Sequence, residues 1–289
     1  MQQKIVIGRG AALLSVLLLA AGPSIVKISD LPEMTFIFWR LLAAAAGYWV
    51  AMKLVGGKLG IKEFRGSLKG GVVFGVNLVF FVMAMRRTSA ANAVMIGALQ
   101  PVVLLAAAGP LFGERPQKIV YFWSVVAMGG VAFSTYASDT TGIATRQGDL
   151  LALIGMLLFS AYYVVSKRAR EDLDSMTYQL GLTLAAAITI LPFAFAFGHG
   201  ISPPSGGEWW PVLLMALIQG AGHWLTNYAH AHVPLVTMSL VNLLFTVIAP
   251  IYAWILVDEE LGGLQALGMA FVLIALTQVV IKPIESPEK

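Results

Sequence analysis

Gln219-Gly220-Ala221-Gly222-His223-Trp224-Leu225-Thr226-Asn227-Tyr228-Ala229-His230 writes a polar pattern into an otherwise apolar segment. At about 100° per residue, Gln219, His223, Thr226, Asn227 and His230 fall within an arc of about 100° on one helix face. Ala221, Leu225 and Ala229 fill the rest of the turn, with Trp224 and Tyr228 toward the other side. A polar group in hydrocarbon is costly unless it finds a partner or water. The stripe should therefore face inward. Two uses fit it: hydrogen bonds between neighbouring helices, or the lining of a wet cavity that holds a substrate.

Around this stretch lie 289 residues, 58% of them hydrophobic and only 12% charged. A soluble domain carries about a quarter charged residues, so the chain reads as an all-α integral membrane protein. Its formal net charge of +4 comes from basic residues scattered between apolar runs. That pattern gives no nucleic-acid patch. Without cysteine there is no disulfide, thiolate or Cys-based metal site to consider. No cofactor is implied. The partners expected are the lipid bilayer and a small-molecule substrate, with the chain a monomer or a homodimer.

A spanning helix needs about 20 mostly apolar residues. Ten runs qualify: 10–28, 32–52, 68–86, 89–111, 117–137, 149–166, 175–198, 209–231, 234–256 and 261–281. The links between them are too short to be domains. With the amino terminus in the cytoplasm, fourteen basic residues lie inside, from Lys4 and Arg9 to Lys282 and Lys289, against Lys27, Arg86, Arg87 and Arg146 outside. The positive-inside rule then places both termini in the cytoplasm, with a bacterial inner membrane the expected location.

The halves repeat. Shifted by 145 positions, Asn77 to Val131 lies over Gly222 to Leu276 without a gap, and Glu114 falls on Glu259. Met34-Thr35-Phe36 echoes Met176-Thr177-Tyr178. Residues 1–138 form a first unit of five helices, 139–148 a linker, and 149–289 a second unit of five. Because five is odd, the second unit is inverted relative to the first, and Lys4 and Arg9 then precede a retained helix rather than a signal peptide. Inverted repeats of this kind build transporters, with the substrate near the midplane between halves.

Phe38-Trp39-Arg40, Gln100-Pro101 and Leu111-Phe112-Gly113-Glu114-Arg115, set in that architecture, resemble the drug/metabolite transporter superfamily, EamA type. The YddG-like amino acid exporters are the most similar group within it. The second half departs from the pattern, with Thr246 at the place of Pro101 and Asp258-Glu259 at that of Gly113-Glu114. The resemblance implies a secondary carrier that exports amino acids or other small metabolites by alternating access. Carriers of drugs or nucleotide-type metabolites are the alternative, and a non-transporting membrane scaffold a further one.

Every Asp and Glu falls in a loop or at a helix end. That argues against exchange of a proton for a cationic drug at a membrane carboxylate. The expected substrate contacts are Arg40, Asn77, Gln100, Gln219, His223, Trp224, Asn227 and Asn242. Arg40 either meets a substrate carboxylate or caps helix carbonyls and snorkels to the interface. His223 is either a proton-coupling group or a neutral hydrogen-bonding one. Phe74, Leu78 and Val82 match Gln219, His223 and Asn227 in the repeat and should form an apolar wall opposite the polar one. Trp39, Phe81, Tyr163 and Trp224 are candidate aromatic contacts. Pro101 and Pro250 should kink their helices. Gly70-Gly71, Gly129-Gly130 and Gly220 with Gly222 read as close-packing positions. No catalytic set or metal-ligand spacing is present, so an enzyme is not expected.

Overall fold

Backbone groups in hydrocarbon must bond within their own segment, so the apolar runs fold as helices. The computed structural model describes residues 2–85, 87, 96–114, 117–138, 145–197, 200–258 and 262–281. In chain order the helices are α1 Gln2–Leu19, α2 Gly22–Lys27, α3 Glu33–Leu54, α4 Ile61–Met85, α5 Gln100–Phe112, α6 Lys118–Ser138, α7 Arg146–Asp172, α8 Ser175–Ala196, α9 Trp209–His230, α10 Leu235–Asn242, α11 Phe245–Val257 and α12 Gly263–Ile281. No strand occurs among the described residues.

Among the described residues, six stretches are long and apolar enough to cross a membrane: Lys4–Val26, Glu33–Leu54, Ile61–Ala84, Arg146–Asp172, Ser175–Ala196 and Leu235–Leu256. Gln100–Phe112, Lys118–Gly130 and Ala266–Ala275 are shorter apolar helices. α9 has the length of a span, at 22 residues. Its polar stripe lowers its mean hydropathy. The first part of the expected fourth run, 89–95, lies outside the described residues.

Three of the expected spans are interrupted. The first turns at Ala20–Ala21 between α1 and α2, the fourth at Ala98–Leu99 before α5, and the ninth at Leu243–Leu244 between α10 and α11. Pro101 does lie beside its interruption, in the first turn of α5, where a missing N–H does no harm. Pro250 does not. It sits inside α11, and the break comes earlier, where Leu243 N–H donates to Leu240 O, Leu244 N–H to Val241 O and Thr246 N–H to Leu243 O, each at 3.0 Å. These are three-residue bonds, so local 3₁₀ winding makes the break without proline. The fourth and ninth interruptions are 145 positions apart, as are the left-handed C-caps Gly113 (φ 64°) and Asp258 (φ 54°). The internal repeat is thus present in the backbone itself.

α4 packs on α7 and α8, and α9 on α1 and α3. α6 pairs with α12, and exposed Phe122, Val125, Leu267 and Phe271 place that pair at the periphery. This agrees with the small number of polar groups in the fifth and tenth runs. Gly71 sets the α4–α8 distance: a Cβ there would lie 2.7 Å from Leu182 O and also strike the Ala185 methyl. Gly129 on α6 has open space at the same position.

Gly71→Ile should therefore lower the thermal midpoint in detergent by the equivalent of about 1–3 kcal/mol or more, as overpacked sites do. Gly129→Ala should hold or slightly raise it. Equal midpoints for the two variants would show that α4 and α8 are not in close contact.

Candidate functional site

The stripe on α9 is wholly inside. Gln219, His223, Thr226, Asn227 and His230 are all buried, whereas Leu213 and Leu217 on the opposite face are exposed. Inside, the five residues divide between the two uses open from sequence. Gln219 Nε2 donates to Leu19 O at 2.6 Å. That carbonyl lacks its helical donor because residue 23, four positions on, is proline. Gln219 thus closes the backbone of the first interruption. Asn227 donates to Gln179 Oε1 on α8 and, at 3.2 Å, to the Tyr162 hydroxyl on α7. Thr226 turns back on Gly222 O at 3.1 Å. His230 packs against the Tyr163 ring, 4.8 Å between centroids.

His223 and the outer edge of Gln219 face a small cavity between α3, α4, α8 and α9, with about 10 Å³ of water-accessible space, room for roughly one water. α3 contributes Arg40, Ala44 and Tyr48 at successive i+4 positions, and α8 contributes Gln179 and Thr183 with the same spacing. Phe74 of α4 lies edge-on to His223 at 4.8 Å, so one element of the expected apolar wall faces the polar one. Tyr48 donates to Gly220 O at 2.5 Å, and Gln179 Nε2 to Thr183 Oγ1 at 3.2 Å. Arg40 is 6% exposed. It has no hydrogen bond or ion pair among the described residues, and its Nε is buried without an acceptor. It neither caps carbonyls nor snorkels to an interface.

Contacts between segments lie beyond the cavity toward each end of the bundle. Toward the start of α3, Trp39 Nε1 donates to Ile201 O and Ser202 O, both at 3.1 Å, and Thr35 to Gly200 O at 3.2 Å. Trp39 also stands edge-on to Trp209 at 5.5 Å. At the opposite end Arg170 Nε donates to Asn227 O at 2.8 Å and its Nη2 to Ser175 Oγ at 2.7 Å. Beyond it, the buried Glu114 carboxylate accepts from Leu235 N at 2.6 Å and Val236 N at 3.1 Å, the two open donors at the α10 N-terminus. Lys167 Nζ stands 3.4 Å from the same carboxylate and donates to Val233 O at 2.8 Å.

Of the eight expected contacts, Arg40, Gln219 and His223 come together around this cavity. The other five do not line it. Asn77 donates to Gly155 O at 2.8 Å and ties α4 to α7. Asn242 donates to Gln100 Oε1 at 2.9 Å, joining the fourth and ninth segments at their interruptions. Trp224 packs with Tyr48 and Leu180, and Asn227 sits one turn beyond His223. Among the aromatics, Phe81 is exposed and points away from the interior. Tyr163 is buried among Phe159, Tyr162 and His230. The sequence reading missed Tyr48, Gln179 and Thr183. The i, i+4 pair Gln179 and Thr183 in apolar α8, and Tyr48 two turns beyond Arg40 in α3, were the available signal.

The chain matches the EamA-like transporter family over residues 6–136 and again over 146–281. Two matches covering nearly the whole length leave no ambiguity of class: this is a multi-pass membrane protein belonging to the EamA-like transporter family. A crystal structure described only as "Crystal structure of protein" superposes with a TM-score of 0.79 at 18% identity, over 96% of this chain and 98% of that one. That likeness is one of fold. Comparison with curated proteins gives no match.

Asn227→Ala should lower the thermal midpoint by about 1–3 kcal/mol equivalent, because buried Gln179 and Tyr162 lose a partner. His223→Phe keeps a ring on Phe74 and should shift the midpoint much less. A larger loss for His223→Phe would reverse the division of roles made here.

Proposed function

We propose that this protein is a secondary transporter that exports amino acids and related small carboxylates across a bacterial inner membrane by alternating access. In this reading ten spans form two inverted five-helix repeats with both termini cytoplasmic. The observation that carries it is the buried Arg40 guanidinium, unpaired beside a small cavity whose walls come from both repeats. Burying a charge costs several kcal/mol per ion unless an opposite charge meets it. A carboxylate arriving as substrate does so, and with two parallel hydrogen bonds.

The other observations support the same reading. Discontinuous helices near the repeat interface are the usual framework of carrier sites, and here Gln100 and Asn242 join two of them at their breaks. At about 10 Å³ the cavity is far smaller than the roughly 300–1,000 Å³ of most ligand sites, so in this reading it must widen to load. Trp39 with residues 200–202 at one end, and Arg170 with Glu114 and Lys167 at the other, are the contacts that would part in turn. A cationic drug would meet Arg40 as a like charge. A nucleotide-type solute would present more negative charge than one guanidinium can meet. A scaffold has no use for an unpaired internal cation.

Reconstituted into liposomes, the protein should support counterflow of a carboxylate-bearing metabolite. Arg40→Gln should fold and cut that flux by about tenfold to a hundredfold, the worth of one or two charge-assisted bonds. Undiminished flux in folded Arg40→Gln would remove the cavity from the transport path.

A further inference from the structure

We infer that the cavity favours a small monocarboxylate anion with an apolar or aromatic body over the corresponding zwitterionic amino acid. The inference rests on the reading of this cavity as the transport site, and it concerns the substrate's second charge.

Arg40 is the one formally charged side chain among the residues that line the space, and no carboxylate lines it among the described residues. An α-ammonium entering beside a substrate carboxylate would need a partner of its own. The neutral acceptors are partly engaged. Gln179 Oε1 accepts a hydrogen bond from Asn227, Gly220 O from Tyr48, and Thr183 Oγ1 from Gln179. What remains is the Gln219 side-chain oxygen, whose amide nitrogen is held at Leu19 O, and the unpartnered ring of His223. Neutral acceptors without a carboxylate are poor exchange for the hydration of an ammonium. The ammonium would also stand in the same small, dry space as the guanidinium, where like charges repel far more than in water.

The carboxylate end has the opposite circumstances. It meets a guanidinium that has nothing else to bond. The body of the substrate then lies against Leu41, Phe74 and Met215, with the Phe74 face already part of an aromatic group that includes Tyr162 at 4.9 Å. Charge accounting and the apolar part of the lining point to one class: aryl- or branched-alkyl carboxylates that lack an α-amino group.

Three probes with one phenyl body separate the possibilities: 3-phenylpropionate, L-phenylalanine and phenethylamine, assayed by counterflow in proteoliposomes at pH 7.5 against protein-free liposomes. The expected order is 3-phenylpropionate at least tenfold faster than phenylalanine, with no phenethylamine flux. Arg40→Gln should lose the 3-phenylpropionate flux. Equal or faster phenylalanine flux overturns the inference and leaves the carrier reading intact; transport of phenethylamine overturns the inference and, with it, the pairing of Arg40 with a substrate carboxylate. If none of the three moves but another carboxylate in a metabolite panel does, the proposed body is wrong and the inference fails. If nothing in the panel moves, the carrier reading fails with it.

Discussion

A guanidinium shut into an apolar interior without a counter-ion is the constraint to which the rest of this structure answers. Arginine stays protonated in proteins, so Arg40 does not escape its cost by neutralising. The surrounding helices keep every other ionisable side chain out of the cavity lining except His223 and Tyr48. They also occupy their own polar groups with one another. The result is a single uncompensated charge at the meeting point of α3, α4, α8 and α9. In the proposed reading, a substrate that supplies the missing anion is bound by a difference the protein has built in advance.

Two kinds of polar residue hold that arrangement, and they are easily confused in sequence. One kind repairs the backbone. Gln219 takes up the carbonyl that Pro23 frees, and Glu114 takes the open N–H groups that begin α10. Asn77, Gln100, Asn227 and Asn242 join helices to one another. The other kind faces empty space, and Arg40 and His223 are its members. From the chain alone, each is a polar residue in an apolar run. Periodicity shows that such residues turn inward; it does not show what they meet there.

The class of fold was legible because it follows from bulk properties: apolar runs, a 145-residue repeat and the sidedness of charge. The inward face of α9 was legible for the same reason, since Gln219, His223 and Asn227 recur at helical spacing. The helix breaks were half legible. Pro101 marked one, whereas the break at Leu243–Leu244 is made by 3₁₀ bonds among leucine and valine residues that carry no local sign of it. Tyr48, Gln179 and Thr183 were hidden because a lone tyrosine or threonine is unremarkable in a membrane helix, and only the packing of α3 against α8 and α9 brings them together. Glu114 was seen as part of a motif, but its grip on α10 joins residues 121 positions apart.

The repeat also explains why the cavity lies where it does. The close α4–α8 contact in one place has its counterpart, by repeat symmetry, in α9 against α3. On α4 the contact is made by Gly70, Gly71 and Gly75, and a Cβ on Gly75 would stand 3.0 Å from Ala186 O. Their partners 145 positions on are Met215, Ala216 and Gly220, all of which line the cavity. At Gly220 the nearest atom to an added Cβ is a side-chain one, the Tyr48 hydroxyl at 3.2 Å, with Ala44 Cβ at 3.7 Å. At Gly71 and Gly75 backbone oxygens of α8 come within 3.0 Å of an added Cβ, whereas at Gly220 the nearest atoms within 4 Å are side-chain ones. Replacing two glycines by Met215 and Ala216 holds α9 off α3, and Arg40 and Tyr48 stand in the gap that opens. The two halves share a fold, and the site arises where their small residues stop matching.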